Sequence, residues 1–229
     1  MQSLARPYPV SLPMVVLVSL VPLYVFIPEL LQGRSLAVPA PALALDRLVP
    51  LRPSWVLVYG SLYLFLILLP VFVVRQEEQI RRTVRAYLLV WITAYLVFLA
   101  YPTTAPRPAA VTGEGFAHWG LRFLYGADPP YNCFPSLHVA HSVVSALACY
   151  RVHRGVGRAA VVCASLVGLS TLFTKQHYVL DVAAGALLAY GAYALFLRGR
   201  PRDEIPDLDR RLAPVFALGL VGLLSLAVA

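Results

Sequence analysis

The chain has 229 residues, of which 59% are hydrophobic and 13% charged. Soluble domains carry about half apolar and about a quarter charged residues, so this balance excludes an ordinary soluble globule and a disordered chain. The net charge of +8 is no nucleic-acid signature, because the basic residues sit in short segments between apolar runs, where they orient a membrane protein.

Apolar runs of 16 to 22 residues recur along the chain, the length that crosses a bilayer as a helix. They predict spans over residues 10–31, 54–74, 84–101, 134–150, 159–174, 177–197 and 212–229. The expected fold class is all-α: one integral-membrane domain over residues 1–229, a polytopic helical bundle with a core of six helices over 10–197 and a seventh span over 212–229. The first run also has the option of being a signal peptide, given the small residues Ala40-Pro41-Ala42. Its length and its Pro22, Pro28 and Glu29 favour a retained anchor. Residues 102–133 form the longest connection, in which Phe116, Trp119 and Phe123 recur at helical spacing with His118 and Arg122 on another face. That spacing predicts a short helix, either lying in the headgroup layer or packed as a plain loop helix. Of the three cysteines, Cys133, Cys149 and Cys163, the last two lie inside apolar runs and read as small core residues.

Of 19 basic residues, 13 fall at the N-terminus and in the connections 75–85, 151–158 and 198–211, and six fall on the other side. The richer side is expected to be cytoplasmic, which turns the 102–133 connection and the residues 175–176 outward. Heavy use of Arg, with Lys175 the one lysine, points to a GC-rich genome. A bacterial inner membrane is the expected location.

The ionisable residues inside or capping spans are Glu29, Arg85, His138, His141, Lys175, His177 and Asp181. Such groups are costly in a bilayer and are functional candidates by default. Glu29 and Arg85 lie near span ends and can reach water. The other five gather at the outward ends of three spans, and Arg107 follows a proline-rich exit from a fourth. His177 and Asp181 are four apart, hence on one helical face. A carboxylate there fixes the imidazole tautomer and leaves the other nitrogen as a nucleophile or base. Pro135 and Ser136 are helix-start signals. The free N–H groups and dipole of that start suit a phosphate, and His138 in the first turn is placed to protonate a leaving oxygen. Arg107 and Lys175 offer positive charge to phosphate oxygens. His141 either supports the site from behind or, with His138, His177 and Asp181, completes a metal site.

Pro135-Ser136-Leu137-His138, followed by His177-x-x-x-Asp181, resembles the second and third motifs of the type 2 phosphatidic acid phosphatase superfamily. The resemblance covers residues 10 to about 197. It implies a six-helix core, His177 as nucleophile with Asp181 beside it, His138 as acid, and Arg107-Pro108 as the end of the first motif. Leu137 replaces the family's Gly, Ala100 stands at its first-motif Lys, and in the third motif Ser170 fits while Thr171 stands at its Arg. Phe-Pro-Ser-Leu-His and His177-Tyr178-x-x-Asp181 look like the branch containing inositol phosphorylceramide synthases, with sphingomyelin synthases as more distant relatives.

The resemblance and the residues together imply a lipid phosphatase or phosphotransferase working through a phosphohistidine at the outward face, without metal or cofactor. Arg107, Lys175 and Ser136 are expected on the substrate phosphate, with His141, Ser170 and Tyr178 supporting them. The partners expected are a membrane lipid phosphate and, for a transferase, an acceptor alcohol, with no nucleic acid. Lys175 and His177 would point apart on one continuous helix, so a helix break is expected between them. The alternatives are a metal-dependent membrane hydrolase and a noncatalytic lipid-binding protein.

Overall fold

The computed structural model describes residues 19, 20, 22–24, 26, 27 and 40–202. Most of the first predicted span, and the whole predicted span at 212–229, lie outside them. Among the described residues the protein is all-α. A one-turn 3-10 helix, Ala44–Arg47, precedes six α-helices: α1 Trp55–Val73, α2 Glu77–Ala100, α3 Phe116–Ala127, α4 Leu137–Val152, α5 Arg154–Phe173 and α6 Val179–Phe196.

Four of these helices, α1, α2, α5 and α6, are long and apolar enough to cross a membrane. Their burial is inverted relative to a soluble bundle. Leu57, Leu96, Val162, Leu187 and Leu195 face outward, while Gln79, Thr83, Ser142 and Ser145 are buried. Hydrocarbon is as good a solvent for Leu as the protein interior, so packing and buried polar contacts hold such bundles together.

The helix α4 is the hub, touching α1, α2, α5 and α6. Twelve of its 16 residues are buried, most of them small. At 1.5 Å per residue α4 is about 24 Å long, short of the ~30 Å hydrocarbon core. Two of its polar side chains are met inside the protein: Ser145 by the Tyr87 hydroxyl at 2.7 Å, and His141 Nδ1 by Trp91 Nε1–H at 3.3 Å. The reversal from α4 to α5 takes one residue, His153, whose Nδ1 accepts from Val156 N–H at 3.2 Å. Gly157 makes that reversal possible, because a Cβ there would lie 2.2 Å from the Tyr150 backbone.

Several boundaries move from their expected places. α2 begins at Glu77 rather than at 84. Glu77 and Glu78 favour the positive end of the helix, and Glu78 pairs with Arg81 and Arg82 one turn on, so residues read as a connection are helical. The short helix expected between 102 and 133 is α3. Its Leu121 is fully buried, whereas Phe116, Trp119 and Phe123 are exposed and stack in series at 5.4 and 5.7 Å. His118 Nδ1 donates to Glu114 O and Arg122 to Gly113 O, which tie the polar side of α3 to its own loop. Cys149 is buried and Cys163 is half-buried, and both are free thiols.

Candidate active site

The site lies where α2 ends, α4 and α6 begin, and α5 turns into α6. Two local devices bring these ends together. The first is a short antiparallel pairing of the chain leaving α2 with the chain entering α4. Thr104 bridges Tyr131, Ala105 N–H donates to Pro130 O at 2.7 Å, and Phe134 N–H donates to Thr103 Oγ1 at 2.9 Å. Continuing that register sets Arg107 opposite Asp128, and the two side chains are 3.8 Å apart.

The second device joins the starts of α4 and α6. The Phe134-Pro135 peptide is cis. Ser136 then caps α4, its Oγ accepting from Val139 N–H at 3.3 Å, so Pro135 precedes the cap instead of filling the first turn. Ser136 N–H donates to Asp181 O at 3.0 Å. The approach is so close that a Cβ at Gly185 would sit 2.4 Å from Ser136 O. His138 is thereby fixed against the first turn of α6.

The helix break comes earlier than expected. α5 ends at Phe173, and Lys175 adopts a left-handed φ of 54°. Gln176 and His177 both donate backbone N–H to Thr171 O, at 2.9 and 3.3 Å. His177 therefore precedes α6 rather than sharing its face with Asp181. Asp181 Oδ2 accepts from Tyr178 N–H at 2.9 Å and lies 3.4 Å from His177 Nδ1. The carboxylate thus caps α6 and touches the imidazole together. Catalytic His–carboxylate pairs are often this loose before substrate binds. The other imidazole nitrogen, His177 Nε2, is 3.2 Å from His138 Nδ1.

Arg107 is the guanidinium of the site. It donates to Tyr125 O at 3.2 Å and to Gln176 Oε1, and it lies over the Tyr125 ring at 4.6 Å. Burial pushes the Tyr125 phenol up to about 12, with the Arg107 charge pulling the other way. It remains a donor to Thr174 O at 2.7 Å. Arg107 Nε and Gln176 Nε2 are buried donors without an acceptor among the described residues. Two such donors side by side match two oxygens of one anion.

The remaining expected residues divide. Lys175 Nζ donates to Val49 O at 2.5 Å. Ser170 is buried and donates to Val167 O within its own helix. His141 stacks on Tyr87 at 4.4 Å and is held by Trp91. Tyr178 is the N-cap residue of α6. Among the described residues no cluster of three or more His, Cys, Asp or Glu is placed to hold a metal ion. Three residues of the site are absent from the sequence-based expectation: Gln176, Asp128 and Tyr24. Asp128 Oδ2 lies 4.0 Å from His138 Nε2 and its Oδ1 accepts from Tyr24 O–H at 2.9 Å. The only hint at Asp128 was a carboxylate ten residues before His138 in a segment otherwise free of charge.

Comparison with known proteins gives a family for the chain. A family model described as the PAP2 superfamily matches residues 42–195, which take in α1 to α5, α6 but for its last residue, and the whole of the site just described apart from Tyr24. A PA-phosphatase related-family protein of Dictyostelium discoideum is 26% identical over 129 residues, covering 48% of this chain and 23% of that protein. The chain therefore spans about a quarter of that relative's length. No solved structure matches the chain. With two thirds of its length under one family model, the chain belongs to the PAP2 superfamily.

Proposed function

We propose that the protein cleaves a phosphoester of a membrane lipid by way of a phosphohistidine. The observation that carries this reading is the facing pair of nitrogens, His177 Nε2 and His138 Nδ1 at 3.2 Å, with a carboxylate behind His177 and the Arg107 guanidinium alongside. With its Nδ1 proton turned to Asp181, His177 presents a lone pair at Nε2, which attacks phosphorus. The bond from phosphorus to the lipid oxygen breaks, and that oxygen takes the proton of His138 Nδ1. Arg107 and Gln176 offer N–H groups to the non-reacting oxygens, as does the start of α4, where charge must be stabilised during phosphoryl transfer. Water then attacks the phosphohistidine, His138 recovers a proton, and the phosphorus–nitrogen bond breaks.

A second reading replaces water by an acceptor alcohol, as in inositol phosphorylceramide synthases. It is favoured by the low positive charge around the seat. Ala100 and Thr171 stand at two positions where the family has cations, and the Lys175 ammonium is engaged by Val49 O. One guanidinium suits a monoanionic phosphodiester better than a dianionic monoester. The test is to offer the purified full chain a panel of lipid phosphomonoesters and phosphodiesters, with and without candidate alcohols, and to identify products by mass spectrometry. Release of phosphate supports hydrolysis, and a new lipid diester supports transfer. Unchanged lipids throughout, with binding retained, would replace both by a binding function.

The site is assigned to the outward face by the charge count of 13 against six. A cysteine at Glu114, in the connection before α3, should react with an impermeant reagent added outside. Gly113 is a poorer place for it, because its φ is 111° and a Cβ would meet the His118 ring at 2.5 Å. Labelling only after permeabilisation would put the site in the cytoplasm.

A further inference from the structure

We infer that Asp128 is the carboxylate partner of the acid His138, as Asp181 is of the nucleophile His177. The inference rests on the function proposed above and adds to it a positioning residue. His138 has two nitrogens and two different neighbours: Nδ1 faces His177 at 3.2 Å, and Nε2 faces Asp128 Oδ2 at 4.0 Å. The remaining surroundings are aromatic, with the rings of Tyr24, Tyr59 and Tyr63 lying 6.2, 5.3 and 5.0 Å from the imidazole, all at steep angles. The ring is buried. In that cage an imidazolium needs a counter-charge. The nearby ionisable neighbours are Arg107, which opposes it, His177, and Asp128.

The position of Asp128 is itself controlled. Tyr24 O–H holds Oδ1 at 2.9 Å, which leaves Oδ2 between His138 Nε2 and Arg107 Nη2, at 4.0 and 3.8 Å. To deliver a proton from Nδ1, His138 must carry protons on both nitrogens. Asp128 stabilises that form through the Nε2 proton. When Nδ1–H passes to the departing lipid oxygen, the N–H electron pair stays on Nδ1 and the ring becomes neutral, while Nε2–H keeps its contact with Asp128. In the second half-reaction Nδ1 takes a proton from water or the alcohol, and the starting form returns. The His138 ring also has to leave His177 Nε2 free for attack, and a carboxylate on its far side gives it a second partner to close upon.

The test compares Asp128→Asn, His138→Ala and the double variant, in purified full-length protein, with His177→Ala as control. Two substrates are used: a lipid phosphate, whose alkoxide needs an acid, and an aryl phosphate, whose phenolate needs it much less. Asp128→Asn should lower kcat on the lipid by about 10- to 100-fold, part of the usual worth of a positioned acid, and keep the burst of phenol. In the His138→Ala background the same change should cost nothing further. Tyr24→Phe, which frees Oδ1 but leaves the carboxylate, should show a smaller loss of the same pattern, and serves if Asp128→Asn does not fold. Equal losses on both substrates, a full further loss in the His138→Ala background, or a raised KM with kcat unchanged, the mark of an action through Arg107, would each overturn the assignment. A His177→Ala protein that still turns over would instead remove the underlying mechanism.

Discussion

The two histidines of the site are held in opposite ways. His177 is rooted in backbone: its own N–H and that of Gln176 are fixed to Thr171 O, and its carboxylate neighbour is four residues on and also caps α6. His138 is on a regular helix, and its surroundings come from other parts of the fold: Tyr24, Tyr59, Tyr63 and Asp128. In the proposed mechanism the group that forms a covalent bond needs a fixed lone pair, and a local turn would supply it. The group proposed to pass a proton back and forth needs an environment stable for both charge states, and several elements together would supply that.

The largest expected effect separates these two roles. His177→Ala should abolish turnover on every substrate. His138→Ala should lose about two to four orders of magnitude on a lipid substrate yet keep a phenol burst with an aryl phosphate. Asp181→Asn should fall between them, because it spoils the tautomer without removing the imidazole. Pre-steady-state phenol release reads all three, and a burst that survives in His177→Ala but not in His138→Ala would exchange the roles.

A smaller effect tests what joins the two supports. Gly185→Ala puts a methyl against Ser136 O, where the start of α4 meets α6. Overpacking of this kind costs about 1–3 kcal/mol, and here the strain falls between His138 and Asp181. The expected result is a lowered Tm in detergent with a larger fractional loss of kcat than an equally destabilising change elsewhere, such as Leu66→Ala in the core. Equal losses in the two variants would mean the Ser136–Gly185 contact serves packing alone.

The smallest effects should distinguish two neighbours in the turn. Gln176→Leu removes a buried donor beside Arg107 and should raise KM for a phosphate substrate by about tenfold, the worth of one hydrogen bond to a charged group. Lys175→Ala removes a bond to Val49 O and should lower Tm slightly with kinetics unchanged. A tenfold loss of activity in Lys175→Ala would return that ammonium to the phosphate seat.

Much of the architecture was legible because hydropathy is a local property. The apolar runs gave α1 and α6 to within two residues and α5 except for its first turn, Arg154–Arg158, which was expected to be a connection, and the Phe116, Trp119 and Phe123 spacing gave α3. The start of α2 was missed because its first two turns are charged and stabilised by the helix dipole and Glu78 pairs, which a hydropathy reading cannot register. At the site, Ser136 could be read as a helix cap because capping leaves a local pattern, whereas the four-residue spacing of His177 and Asp181 suggested a shared helical face that the structure does not have, since His177 precedes α6. Lys175 is expected on the phosphate, and in the structure its ammonium donates to Val49 O from a left-handed residue, a conformation that Lys in place of Gly does not announce. Gln176 and Asp128 were invisible for a different reason. Their meaning depends on the register of residues 104 and 131 and on where a turn closes, both of which are long-range facts.

The shortness and polarity of α4 have a consequence for how the chain is made. Two histidines, two serines and an arginine in 16 residues make a weak insertion signal, since each such group raises the cost of a lone helix in hydrocarbon. Tyr87 and Trp91 of α2 supply partners for Ser145 and His141, and α2 is synthesised first. If α4 crosses the bilayer it would enter as a client of a helix already there, and the order of synthesis then matches the order in which its polar groups need company.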